Sequence, residues 1–92
     1  MMPSALPFLM LPDEALKLKA AQDRTGLSIP ALRRINRKHR IGRQTSACAT
    51  LELSYPALVM IQHGDIIALE KLRCGQRADP DVRRYFDLLG LP

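Results

Sequence analysis

The run Thr25-Gly26-Leu27-Ser28-Ile29-Pro30 stops one helix and starts another within a few residues, so no long helix or regular strand passes through it. Gly26 supplies the positive φ that ends a helix sharply. Ser28 is an N-cap type, and Pro30 fits a first helical turn because its missing N–H has no partner there. Upstream, residues 12–25 read as a first helix. Asp13 and Glu14 suit its positive dipole end, and Ala15, Leu16, Leu18, Ala20 and Ala21 favour helix. Downstream, Ile29, Leu32 and Ile35 recur every three residues and define the buried side of a second helix. Leu16, Leu27, Leu32 and Ile35 are the expected core between the two.

The same punctuation divides the rest of the chain. Gly42 ends the second helix, and Leu51-Glu52-Leu53 alternates as a half-buried strand does, so residues 43–53 read as a short β-hairpin. Ser54 with Pro56 opens a third helix running through Ile61. Asp65 opens a fourth that ends at Cys74-Gly75, and Asp79-Pro80 opens a last one closed by Gly90. The expected fold is mainly α with a small β-hairpin, and 92 residues suffice for one domain. Residues 1–11 form an apolar arm ahead of that domain, which spans 12–92. The run from Met1 to Pro12 has no basic leading region and is interrupted by Pro3, Pro7 and Pro12, so it reads as neither a signal peptide nor a membrane span. Cys48 and Cys74 lie far apart without a partner motif, which points to a reducing, cytoplasmic setting, with Cys48 read as a small buried residue.

Charge is distributed unevenly. Seven of the fourteen Lys and Arg residues fall between positions 24 and 43, where no acidic residue occurs: Arg24, Arg33, Arg34, Arg37, Lys38, Arg40 and Arg43. The remaining seven face nine acidic groups, so the whole positive excess of a chain with formal net charge +5 lies in this block. Clustered cations favour a polyanion, because pairing with phosphates releases condensed counterions. Aromatic residues are few (Phe8, Tyr55, Tyr85, Phe86), and that argues against the stacking platforms of single-strand binders.

Two helices around a tight turn, the second capped by Ser28 and basic outside, have the layout of a helix-turn-helix. The run Ala20-Ala21-Gln22-Asp23-Arg24-Thr25-Gly26-Leu27-Ser28, continued by Ala31-Leu32-Arg33-Arg34, resembles the opening of winged helix-turn-helix domains of the MerR and excisionase type. Arg40-Ile41-Gly42-Arg43 and Ser54-Tyr55-Pro56-Ala57-Leu58 are similar to the wing entry and following helix of that group. The resemblance covers about half the chain. It implies a winged helix-turn-helix with helix-turn-helix at 13–40, wing at 41–53 and C-terminal helices at 54–90. The hairpin departs from the pattern, since Thr45-Ser46-Ala47-Cys48-Ala49 has no large aromatic or basic residue at its centre. The chain is also too short for the dimerisation helix and effector domain of MerR regulators.

The implied function is sequence-specific binding of double-stranded DNA, as a small bacterial-type transcriptional regulator or excisionase-type accessory factor. Arg33, Arg34 and Arg37 are the expected base or phosphate contacts, since an arginine fork pairs bidentately with guanine or phosphate. Arg24, Ser28, Lys38, Arg40, Arg43, Gln44 and Thr45 complete the expected DNA-binding set. Catalysis has little support: His39 and His63 have no nucleophile or carboxylate at triad-like spacing. Nor do His39, Cys48, His63 and Cys74 have zinc-ligand spacing. Neither cofactor nor metal is expected. The competing reading is a protein-interaction module, a homodimer or adaptor, using the N-terminal arm and the amphipathic last helix.

Overall fold

Extended backbone, not helix, follows the first acidic pair. The computed structural model describes residues 7–92. Pro12–Glu14 make a single 3-10 turn, and Ala15–Lys17 form strand β1. Helix α1 therefore covers only Leu18–Thr25, shorter at its start than the sequence suggests. Tertiary pairing overrides helix propensity here. Leu16 is opposite Leu53 in an antiparallel register that continues through Lys17 and Glu52. Glu14, expected at a helix start, is buried instead, and its carboxylate receives both arms of the Arg77 guanidinium at 2.9 and 2.7 Å.

The turn after α1 forms as the residues dictate. Gly26 adopts φ 77°, and its N–H donates to the Gln22 carbonyl. Thr25 Oγ1 accepts from Leu27 N at 3.3 Å and donates to the Ala21 carbonyl at 2.7 Å. Helix α2 then runs Ile29–His39, with Ser28 Oγ accepting from Ala31 N. Strands β2 (Gly42–Arg43) and β3 (Glu52–Ser54) make the hairpin, with residues 44–51 connecting them. The hairpin is thus shorter in its strands than expected, and β1 joins it to give a three-stranded antiparallel sheet in the order β1-β3-β2.

Three capped helices complete the chain: α3 (Tyr55–Gln62), α4 (Ile66–Arg73) and α5 (Pro80–Leu89). Ser54, Asp65 and Asp79 each accept a backbone N–H at the helix start, as their residue types dictate. Their apolar sides meet in one core holding Leu32, Leu53, Leu58, Met60, Leu69, Val82, Tyr85 and Phe86. Leu32 is fully buried, whereas Leu16, Leu27 and Ile35 pack against the core half-exposed. Phe8 and Met10 belong to the same core, and the Arg73 guanidinium lies 5.3 Å from the Phe8 ring centre. Residues 1–6 of the expected arm lie outside the described residues. No helix among those described is long and apolar enough to cross a membrane.

Candidate nucleic-acid interface

Helix α2 carries its charge on one side. At about 100° per residue, Pro30, Arg33, Arg34, Arg37 and Lys38 fill an arc of about 140°. All five are exposed, while Leu32 is buried and Ile35, Asn36 and His39 are half-buried on the other side. Every cation of the block, from Arg24 to Arg43, is solvent-exposed. Spacings of three and four residues put Arg33 beside Arg37, Arg34 beside Arg37, and Arg34 beside Lys38. Like charges so placed destabilise a helix by about 0.2–0.5 kcal/mol per pair. The arc therefore costs the free protein about 1 kcal/mol, which a polyanion would relieve.

The acidic residues do not offset this arc. Seven of the nine carboxylates make ion pairs, and all of those partners lie outside it: Lys19, Arg43, Lys71, Arg73, Arg77 and Arg83. Among the described residues, Arg33, Arg34, Arg37 and Lys38 have neither an ion pair nor a side-chain hydrogen bond. The charge segregation seen in the sequence persists in three dimensions.

The rest of the expected set divides by what each side chain already does. Ser28 is exposed, but its hydroxyl caps α2. Arg24 rests its guanidinium 5.6 Å from the Tyr55 ring centre, which ties the end of α1 to α3. Arg43 donates from Nε to Glu52 at 2.9 Å and from a terminal nitrogen to the Met10 carbonyl at 3.0 Å. It therefore joins the hairpin to the N-terminal segment and is less free than its charge suggests. Gln44 donates to the Ala49 carbonyl at 2.6 Å, closing the hairpin connection on itself. Thr45 is exposed at that connection, as is Cys48, contrary to the expectation that Cys48 is buried.

Between α2 and the hairpin lies an open cleft of about 390 Å³ lined by Asn36, Arg37, Arg40, Gly42, Arg43, Gln44 and Leu51. Its floor depends on Gly42, where a Cβ would come within 2.9 Å of Asn36 Oδ1, the Glu52 carbonyl oxygen and a Leu53 methyl. Asn36 Oδ1 accepts from Gly42 N at 2.8 Å and fixes the entry to β2. Asn36 was not among the expected site residues, although its place four residues after Leu32 marks it as inward-facing.

Arg73 is the second residue absent from the sequence-based set. Its side chain is only 3% exposed and donates to the His39 and Arg40 carbonyls at the end of α2, while Nε pairs with Glu70 at 3.1 Å. An arginine there satisfies carbonyls that the helix end leaves unpartnered and complements the negative dipole end. Nothing local in the sequence marks it, because the carbonyls it holds lie more than thirty residues away. Burial, followed by the charges of Lys38 and Arg73, lowers the His39 pKa, while Glu70 opposes the shift. Neutral His39 thus leaves the positive charge of α2 to its arginines and lysine.

The apolar side of α5 is spent inside, since Val82, Tyr85 and Phe86 are buried. Large exposed apolar residues lie instead at Leu9, Leu11, Ile66, Ile67 and Leu88. No group of three potential metal ligands occurs among the described residues. Comparison with protein-family models, curated proteins and solved structures finds no match to this chain.

Proposed function

We propose that the protein binds double-stranded DNA sequence-specifically through α2, as a small regulator or excisionase-type accessory factor built on a winged helix-turn-helix. The observation that carries this reading is the arc of uncompensated cations on α2, backed by a fully buried Leu32. Eleven residues at 1.5 Å each make α2 about 16 Å long, and with side chains a helix is about 10–12 Å across. It therefore matches a major groove about 12 Å wide. Small residues at its start, Pro30 and Ala31, allow close approach. Arg33 and Arg34, one turn after Pro30, reach base edges, and Arg37 and Lys38 reach either bases or backbone. The setting in this reading is cytoplasmic, and a two-copy complex would read half-sites about 34 Å apart.

The test is duplex binding by fluorescence anisotropy across a salt series. The logarithm of the binding constant should fall linearly with the logarithm of salt, by about 0.9 per phosphate neutralised. Replacing Arg33, Arg34 and Arg37 together by Ala should lower affinity at least a hundredfold and leave the helical circular dichroism intact. Wild-type affinity in that variant would refute the reading and leave the protein-interaction alternative through the N-terminal arm and last helix, where Leu9, Leu11 and Leu88 are exposed.

A further inference from the structure

Arg40 is the one non-glycine residue with positive φ among those described, at φ 54° and ψ 54°. This left-handed position at a helix end is where glycine is strongly favoured, because a Cβ crowds the following carbonyl there. The chain keeps an arginine in it. Two interactions hold the conformation: the Arg40 N–H donates to the Asn36 carbonyl at 2.7 Å, and Arg73 donates to the carbonyls on either side of the Arg40 N–H, those of His39 and Arg40 itself. The Arg40 side chain itself has no partner among the described residues and lines the cleft with Arg37 and Arg43. Strain kept at a residue whose side chain does nothing for the fold points from the outlier to a role for that side chain.

We propose that the cleft between α2 and the hairpin binds one phosphodiester of the duplex backbone, with Arg40 and Arg37 as its ligands. This rests on the DNA-binding reading and deepens it by extending the arc, through Arg37, to a backbone anchor at Arg40. Arg43 forms the far wall, its guanidinium pinned by Glu52 and the Met10 carbonyl. Asn36 is engaged with Gly42 and contributes position, not binding. The left-handed turn at Arg40 redirects the chain from α2 into β2, so that two arginines three residues apart and one from the hairpin line a common cavity. A phosphodiester is favoured over a carboxylate because several guanidinium forks can share its oxygens while the groove surface covers it.

The experiment uses the full chain, random-sequence duplex and inorganic phosphate as probes, and the variants Arg40→Gly, Arg40→Lys and Lys19→Ala. Glycine relieves the left-handed strain and removes the ligand, so Arg40→Gly should bind duplex at least fivefold more weakly. Its salt slope should be smaller by about 0.9, and its melting temperature about 2–5 °C higher. Arg40→Lys keeps charge and strain and should retain most of the salt slope. Lys19→Ala removes one cation outside the cleft and should leave both affinity and slope unchanged to within twofold. An Arg40→Gly variant with wild-type affinity and slope overturns the proposal, even if the Arg33/Arg34/Arg37 variant shows that α2 binds DNA. If wild type does not bind duplex at all, the DNA reading fails first. The phosphate arm then decides: thermal stabilisation by millimolar phosphate that Arg40→Gly abolishes identifies a free-phosphate site, and no stabilisation overturns the cleft as an anion site.

Discussion

Removing the Arg77 guanidinium should be among the most damaging single changes in the molecule, although Arg77 lies on a turn between two helices. Its partner Glu14 is only 3% exposed, whereas Arg77 itself is 35% exposed. The pair is bidentate, so Arg77→Ala deletes two charge-assisted hydrogen bonds and strands a buried carboxylate. Breaking a buried pair in this way costs about 3–5 kcal/mol. Solvent reaching the vacated side reduces that, and the lost contact of Arg77 with the Phe86 ring, 5.2 Å away, adds some back. About 3 kcal/mol is a balanced figure, against a total near 5–14 kcal/mol for a chain of this length. Urea unfolding followed by circular dichroism would show it as a midpoint lowered by about 2 M, for a slope near 1.5 kcal/mol/M. Glu14→Gln should cost less, because it leaves no buried charge. The double variant Glu14→Gln/Arg77→Ala should be more stable than Arg77→Ala alone, with a coupling above about 1.5 kcal/mol. Additivity within about 0.5 kcal/mol would refute the claim that this pair fastens the N-terminal segment to the helical body.

Gly42→Ala should lower the melting temperature by about 10 °C or more, since its Cβ would meet the Glu52 carbonyl oxygen and two side chains at 2.9 Å; a drop below about 3 °C would show that the β2–β3 contact yields easily. The Asp65–Tyr85 pair should bracket stability in pH. The Asp65 pKa is held down first by the Ala68 N–H and then by the Tyr85 hydroxyl, so its contribution is present above about pH 4 and is lost as pH falls through the lowered value. The Tyr85 pKa is raised first by burial and then by Asp65, so its contribution is present below about pH 10 and is lost as pH rises through the raised value. Melting curves from pH 2 to 11 should therefore show Tyr85→Phe flattening the alkaline decline relative to wild type; an unchanged alkaline limb would show that the hydroxyl does not report folding.

Local signals were legible in the sequence, and long-range ones were not. Ser28, Ser54, Asp65 and Asp79 cap the helices they open, because a cap depends on residues two or three positions away. Gly26 takes its left-handed turn for the same reason. The sequence places the start of α1 too early because Leu16 answers to Leu53, and Glu14 to Arg77, partners that no local window contains. Arg43 belongs by sequence to the basic block, but Glu52 across the hairpin engages it. The apolar stripe of α5 was open to two uses, docking or core. The packing of Val82, Tyr85 and Phe86 against α3 and α4 chooses the core.

Apart from β1, where pairing overrides helix propensity, and the buried Glu14, the departures from local preference gather at one place. Across the described residues, caps, core and ion pairs agree with what each residue type favours, and such agreement across levels is what specifies a single fold. On α2 and its exit the agreement lapses. Like charges sit one turn apart without acidic partners, an arginine occupies a glycine conformation, and an inward-facing asparagine and a buried arginine are committed to holding that exit in place. Each lapse costs stability by a fraction of a kilocalorie to about 2 kcal/mol. None makes a contact that the fold needs for its own sake at Arg33, Arg34, Arg37 or the Arg40 side chain. In a chain with only about 5–14 kcal/mol of total stability, the proposed function accounts for such features as losses that a bound ligand would recover. On the proposed reading the ligand is anionic, extends along a helix about 16 Å long, and reaches into the cleft at its end. A duplex backbone meets all three conditions, whereas a single small anion meets only the first and the last.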